Sequence, residues 1–541
     1  MTRLAPPTQL FALLSPLLIG SLATPALAVP QGFVAPFESG LRWIHGAQLS
    51  DPWVPGSVTF AAQSDLVWVG TQTINRRLML LGGPEQGVVQ PVLEDPGAAL
   101  SSHILAVEAG KGGDQLFSLQ QRPEPDSFHR RTLVTRHSAL QAGAGTTFSP
   151  LWTATFPFTA NGPSLLSVDE LGDTLAVAAY DNNGPGAVQL RLLSGDSGAT
   201  RVVINFQAAG LDALTISADG KRTALGVAQR LLVLDETGSV LLDQPLNSAV
   251  NDLALDGDGS RLLVGMLGEV LVFDGSAGVY SQAHREQLGP NEIAKRVALS
   301  EDGSTYAVAR WAFGANETLR YEVYSGASFQ MLNQVTQISG GAAFQNSPVA
   351  VEMSADGQRV AFASWGKGDA DPEVLLLQRG VAQPLLEIDL PGSAMGVALD
   401  PTGTKLAVLT KNLHANQLGS TGEVRLYATG EGELEQLGPA RLGSDLKVRS
   451  HQPGSSFAFF LLGERTNNPT TPPGTMGTLK LARDRHLQVI VRPAQASGQA
   501  DLSLPIPANS SWLGANRSVQ VASRVGGQLI LSETVLDPLF Y

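Results

Sequence analysis

The chain contains no cysteine, which removes disulfides, thiolate metal centres, cysteine nucleophiles and a lipid-modified N-terminal cysteine together. Packing alone must hold the fold. Charge is sparse too: only 16% of the 541 residues are charged, and the 36 basic side chains set against 49 acidic ones form no block able to neutralise a phosphate backbone. Nucleic acid is excluded as a partner class. Long apolar runs are equally scarce, since the longest, residues 10–23, is interrupted by Ser15, Pro16 and Gly20 and falls short of the ~20 residues of a spanning helix. No transmembrane segment is expected.

What the chain has in quantity is glycine (58) and proline (33), which suits short strands joined by many turns and disfavours long helices. Its length exceeds one ordinary domain unless repeats grow around a ring. The first 28 residues read as a secretory signal: Arg3 gives the positive start, residues 10–23 the apolar stretch and Ala26-Leu27-Ala28 the small-x-small site, with cleavage before Val29. Export to the periplasm, the cell surface or the medium follows.

One pattern recurs between residues 166 and 410: an apolar strand, a tight polar turn usually containing Asp-Gly, and a second apolar strand. The copies are LSVDELGDTLAVAA from Leu166, LTISADGKRTALGVA from Leu214, LALDGDGSRLLVGM from Leu253, VALSEDGSTYAVAR from Val297, VEMSADGQRVAFAS from Val351 and VALDPTGTKLAVLT from Val397. Their turn glycines, Gly172, Gly220, Gly259, Gly303, Gly357 and Gly403, recur at a mean of about 46 residues, the length of one four-stranded blade. Asp-Gly accepts the positive φ of a tight hairpin, so each copy is a hairpin. Two further strand-like runs follow each one, as at residues 231–234 and 240–245. A β-propeller is the expected architecture.

Weaker hairpins at residues 58–70 and 104–119, with residues 41–49 as a first inner strand, bring the count to eight blades ending near Thr429; seven remains the alternative because the first two copies lack Asp-Gly. On these residues the repeat resembles the WD40-like and YVTN-type propellers of secreted bacterial proteins, over most of residues 41–430. The Trp-Asp dipeptide of WD40 blades is absent, so the protein-partner interface of that family is not implied.

From residue 431 to the C-terminus the Asp-Gly period is gone. Seven strand candidates replace it, at residues 446–450, 456–462, 479–482, 487–491, 501–504, 518–523 and 529–532, the size of a small β-sandwich. QPGSSFAFFLLG, GTMGTLKLA and GQADLSLPIPANSSWLGANRSVQVA resemble sandwich modules appended to secreted bacterial proteins, which implies an attachment role. Residues 467–474 read as a solvated connection.

Motifs with chemical content are few. Gly195-Asp196-Ser197-Gly198 copies the tetrapeptide around the chymotrypsin-type nucleophile, but Ala199 stands where that family has a further glycine, and the position suits a plain turn. Asp256-Gly-Asp258-Gly259 and Asp369-Ala-Asp371-Pro-Glu373 bring carboxylates together, and neither supplies the six to eight oxygens of a calcium loop. The eight histidines show no i, i+4 pair. No metal, no cofactor and no catalytic residue is expected from these motifs.

Loop lengths carry more. With the Asp-Gly turn taken to join the second and third strands of each blade, the third-to-fourth connections emerge on the opposite face. They are minimal at residues 227–230 and 266–269 but long at 180–186, 311–318, 365–373 and 411–422. These place Tyr180, Asp181, Asn182, Trp311, Asn316, Trp365, Asp369, Asp371, Lys411, Asn412 and His414 on one candidate ligand face.

The reading is therefore a non-catalytic interaction module for a protein or glycan ligand. The alternative is an enzyme with its site at the ring axis, such as a lactonase-like hydrolase, a lyase or a quinoprotein-type dehydrogenase. A prolyl-oligopeptidase would need an α/β-hydrolase domain that the C-terminal segment cannot hold.

Overall fold

The computed structural model describes residues 41–532, apart from a set of connecting segments, and is continuous over 150–160, 162–182, 186–313, 318–338, 346–367 and 371–414. The signal reading at residues 1–28 and the candidates Asn316 and Asp369 lie outside the described residues. Among these residues there is no helix, and none therefore long and apolar enough to cross a membrane.

Strands are numbered β1 to β42 in chain order. Eight four-stranded antiparallel sheets are formed, each an up-and-down meander except the last. Their first strands are β2 (Pro55–Phe60), β6 (His103–Ala109), β10 (Ser164–Val168), β14 (Ala213–Ile216), β18 (Val250–Leu255), β22 (Glu292–Leu299), β26 (Pro348–Met353) and β30 (Ala394–Leu399). Each of these touches the first strand of the next sheet, and β30 returns to β2, so the sheets close into a ring. They are called blades 1 to 8 below. Closure leaves only short, protected edges at the axis.

The structure corrects the strand phase. The Asp-Gly turn joins the first and second strands of a blade: β14 pairs with β15 (Arg222–Val227) across Ser217–Lys221, and the long connections join second to third strands. Residues 240–245, the last strand-like run of their period, form β17 (Val240–Pro245), the outermost strand of its sheet and mostly exposed. β29 (Leu386–Ile388) is likewise outermost in blade 7.

The physical cause is burial. Second strands such as β15, β19 (Arg261–Met266) and β27 (Arg359–Ser364) are buried on both faces by the neighbouring blades and are continuously apolar, whereas outermost strands such as β13 (Thr200–Gln207) alternate toward solvent.

A second correction concerns the chain start. Leu41–Gly46 (β1) is not the first inner strand; it pairs antiparallel with β32 (Gly422–Ala428) and is the outermost strand of blade 8. Main-chain bonds between the beginning and the end of the ring thus complete its last sheet.

The turns explain the period. In six of them the glycine N–H donates to the carbonyl three residues back, as in Gly220 to Ser217 (2.9 Å) and Gly357 to Ser354 (2.9 Å), and the glycines of the six copies sit at φ of 64 to 75. A Ser or Asp at the first turn position takes the amide of the second strand: Arg222 N donates to Ser217 Oγ (3.0 Å) and Arg261 N to Asp256 Oδ1 (2.9 Å). Neighbouring turns are also linked, through Asp219 N to Gly257 O, Gly257 N to Glu301 O, Glu301 N to Ala355 O and Ala355 N to Pro401 O. A collar of turns follows.

One tight connection carries strain. Ala228, between β15 and β16 (Arg230–Asp235), has φ 54 without being glycine. Ala228→Gly should raise stability by about 0.5–1 kcal/mol, the left-handed penalty less the extra freedom of the unfolded chain; a lower melting temperature in the variant would contradict this.

Beyond blade 8, a three-stranded sheet of β33 (Glu433–Gln436), β34 (Asp445–His451) and β40 (Gln499–Pro505) and a five-stranded one containing β35 (Phe457–Gly463) and β41 (Ser518–Val525) are formed. They share one apolar cluster of Leu446, Val448, Phe460, Leu502 and Val521. Part of the stretch expected as a solvated connection lies instead in a strand, Arg465–Thr470, paired to Leu479–Leu481 through Arg465–Leu481 and Thr470–Leu479.

Candidate functional site

Two regions hold the chemistry. The first is the face opposite the Asp-Gly turns, where second-to-third-strand connections emerge. Tyr180 is the next-to-last residue of β11 (Thr174–Asp181), with its hydroxyl donating to Ala209 O (3.0 Å); Asp181 closes the strand and Asn182 follows it on the rim of blade 3. Blades 6 to 8 carry the remaining described candidates. Lys367 Nζ lies 2.6 Å from Asp371 Oδ2 and donates to Ile338 O (2.7 Å), and Gln337 Nε2 donates to Pro372 O (3.0 Å), so the blade 7 connection is strapped to the end of blade 6.

Glu373 is buried, accepts the Leu390 amide on Oε2 (2.7 Å) and places Oε1 3.7 Å from His414 Nδ1 of blade 8. Asn412 N donates to Thr421 O (3.1 Å), and Lys411 N to Ser393 O (2.9 Å); burial lowers the pKa of the Lys411 amine. The structure therefore brings Asp371, Asn412 and His414 to adjacent blades but leaves Tyr180, Asp181 and Asn182 on blade 3, elsewhere on the ring. Asp371 and Glu373 serve different partners, which argues against a shared cation. Among the described residues no group of three or more His, Asp or Glu side chains is placed to hold a metal ion.

Sequence reasoning missed an apolar strip beside Trp311. Leu267, on the short blade 5 connection, bridges to Ile293 of β22; Ile293 pairs with Trp311 of β23 (Thr305–Ala312); and the Trp311 ring lies 5.7 Å from Phe313. Leu267 is 46% and Phe313 37% exposed, while Trp311 is half-buried against the core of blades 6 and 7. The signal was available in Leu267, an apolar residue in a two-residue turn where a polar one is usual.

The second region is the axis. The register sets Thr59, Glu108, Ser167, Thr215 and Glu352 one residue beyond the central pairings Val58–Val69, Val107–Ser118, Leu166–Val177, Leu214–Leu225 and Val351–Phe362, a polar tier on the innermost strands. Burial pushes the Glu108 carboxyl up to about 7. Glu352 goes up to about 8, through burial first and then the nearby Glu108 and Asp252 charges. Glu352 nevertheless keeps solvent exposure on its strand, and solvent screening offsets part of that rise. Asp252 is also raised by burial, against Arg296, the Val297 amide (2.9 Å) and Lys295, while burial lowers Lys295. These groups escaped the sequence reading because the inner strands had been placed one strand too early.

The Gly195–Gly198 segment proves to be a turn gripped from blade 2: Trp152 Nε1 and Arg136 Nη1 both donate to Gly195 O (2.9 and 3.1 Å), and Gly198 packs on the Trp152 ring. On this turn face a cleft of about 520 Å³ opens between blades 3 and 4, with Asp169, Asp173, Asp219 and Glu236 on its walls; Asp169 is engaged by the amides of Asp173 and Thr174, and Asp219 by Lys221.

The ring of meandering four-stranded sheets defines this chain as a β-propeller. No family model matches it and no curated protein matches it. Among solved structures it is similar to Sqt1 of Chaetomium thermophilum, both bound to the N-terminus of ribosomal protein L10 and alone; the matches are 15% identical with TM-score 0.49, cover 70% of this chain and take in 97% and 95% of those chains.

Proposed function

We propose that this protein is an exported, non-catalytic interaction module that holds a protein or glycan ligand on the face opposite its Asp-Gly turns, with the C-terminal sheets as a sandwich domain for attachment. The observation that carries this is the apolar strip Leu267–Ile293–Trp311–Phe313, exposed at Leu267 and Phe313, on a frame whose strands are fixed from both sides. Exposed aromatic and aliphatic anchors on rigid loops are what hot spots are made of. The alternative, chemistry at the axis, is supported by the raised carboxyls of Glu108 and Glu352, which are poised to exchange protons near neutral pH.

A peptide and glycan array probed with the purified protein, beside a metal analysis, separates the two. Leu267→Ser with Phe313→Ser should lower array binding by about tenfold or more, the loss of one to two anchors, with an unchanged melting temperature. Trp311→Ala with Trp365→Ala should abolish it, at some cost in packing. Binding untouched by both pairs rejects the placement, and stoichiometric metal or binding lost only in Glu108→Gln and Glu352→Gln favours the axis.

A further inference from the structure

The chain contains six Asp–Gly bonds: Asp219–Gly220, Asp256–Gly257, Asp258–Gly259, Asp274–Gly275, Asp302–Gly303 and Asp356–Gly357. Asp–Gly is the linkage most open to spontaneous isomerisation, because glycine has no Cβ to block approach. The glycine nitrogen loses its proton and bonds to the aspartyl Cγ, the Cγ–O bond breaks and water leaves, closing a succinimide. Water then opens either carbonyl of that ring, giving aspartyl or isoaspartyl linkage with no other reactant consumed. An isoaspartyl link adds a methylene to the main chain, and a tight turn has no room for it.

Both reacting groups are held at all six positions. The glycine N–H donates from Gly220 to Ser217 O (2.9 Å), Gly257 to Glu301 O (2.7 Å), Gly259 to Asp256 O (3.2 Å), Gly275 to Ser260 O (2.7 Å), Gly303 to Ser300 O (3.0 Å) and Gly357 to Ser354 O (2.9 Å). The carboxylates are tethered as well. Asp219, Asp302 and Asp356 each accept a serine hydroxyl two residues back (2.7 Å in each case) and an amide two residues on. Asp256 accepts Ser260 Oγ (2.9 Å) and Arg261 N (2.9 Å), Asp258 accepts Ser260 N (2.8 Å) and Asp274 accepts Ser276 N (2.9 Å).

We infer that the hydrogen bonding of these turns is a chemical safeguard: it ties up nucleophile and electrophile at each of the six Asp–Gly bonds, so that the native protein resists isoaspartyl ageing at the residues its fold depends on. Closing a succinimide requires the amide to release its carbonyl and the carboxylate to release its donors at once. At Gly257 the carbonyl belongs to the next blade, so two blades must move. The holds are unequal. Asp258–Gly259 has the longest amide bond of the six, at 3.2 Å, and an exposed carboxylate with a single tether. It is the first of the six to isomerise in the folded protein.

The test is to incubate full-length protein at neutral pH and body temperature, native and in guanidinium chloride, and to quantify isoaspartate at each site by enzymatic methyl transfer and peptide mass spectrometry. Native rates should fall below the unfolded ones by ~100-fold or more, in keeping with opening that needs several kcal/mol, with Asp258 leading. Native rates within threefold of the unfolded ones overturn the proposal. Ser354→Ala, which removes the hydroxyl tethering Asp356 and accepting Arg359 N, should raise isoaspartate at Asp356 about tenfold and leave the other five unchanged. No rise there in the folded variant shows that the tether does not protect. Should that variant fail to fold, Ser300→Ala reads the same effect at Asp302.

Discussion

Arg310→Met is expected to cost about 3–5 kcal/mol of stability, the penalty of leaving a buried charge without its partner. Arg310 lies between blades 5 and 6, 5% exposed, with Nη2 donating to Glu286 Oε1 (2.7 Å) and hydrogen-bonded to the Tyr324 hydroxyl. Its Nε sits 2.5 Å from Glu322 Oε2, off the line of a hydrogen bond, so that contact is electrostatic. Glu322 is 2% exposed; burial raises its pKa first, and the Arg310 charge opposes the rise. Without the guanidinium, Glu322 is driven further toward its protonated form. Guanidinium unfolding of Arg310→Met, Glu322→Gln and the double variant should give a coupling above about 1 kcal/mol. Independent, additive losses would mean that the network is bystander chemistry.

Acid should weaken the fold through His137. This residue of β8 (Arg130–Ser138) is fully buried, its Nε2 lies 2.8 Å from Ser118 Oγ, and burial lowers its pKa to about 4. The unfolded chain takes up a proton near the ordinary histidine value of about 6.5, which the folded one refuses. The His137 contribution is therefore complete above about pH 6.5 and is lost as pH falls toward 4, on the order of 3 kcal/mol in all. The raised carboxyls of Glu108 and Glu352 act oppositely, favouring the folded state as pH falls. His137→Gln isolates the histidine: the gap in unfolding free energy between wild type and variant should narrow by that amount between neutral pH and about pH 4. A constant gap would show that the imidazole does not titrate on unfolding.

Much of the fold could be read from the chain because its turns are chemically constrained. Only glycine sits easily at the φ of Gly220 or Gly357, and only a short Ser or Asp side chain reaches the amide of the following strand, so the spacing appears in plain letters. Strand phase could not be read from spacing. A meander repeated around a circle looks the same when every strand is shifted by one, and the evidence that breaks the tie is which strand is buried on both faces. LTISADGKRTALGVA already held it, since ALGV is apolar throughout while the outer TRVVINFQ alternates.

That shift also governed what was visible of the candidate site. Tyr180, Trp311, Trp365 and His414 lie at or beyond the strand ends away from the Asp-Gly turns, a position that the spacing gives under either phase. Glu108, Asp252 and Glu352 were passed over because their strands had been assigned second place. Leu267 is hidden for another reason: it projects from a short connection, where loop length gives no signal.

The pairing of residues 41–46 with residues 423–427 has a temporal side. A ribosome delivers the first partner long before the second, so the segment that seals the circle must wait, unmatched, while nearly four hundred residues emerge. Contacts so distant along the chain make for slow assembly and a prolonged sticky intermediate. Fusing the natural ends of the ring and reopening it between two blades would make those partners neighbours in synthesis, exchanging a late lock for an early one.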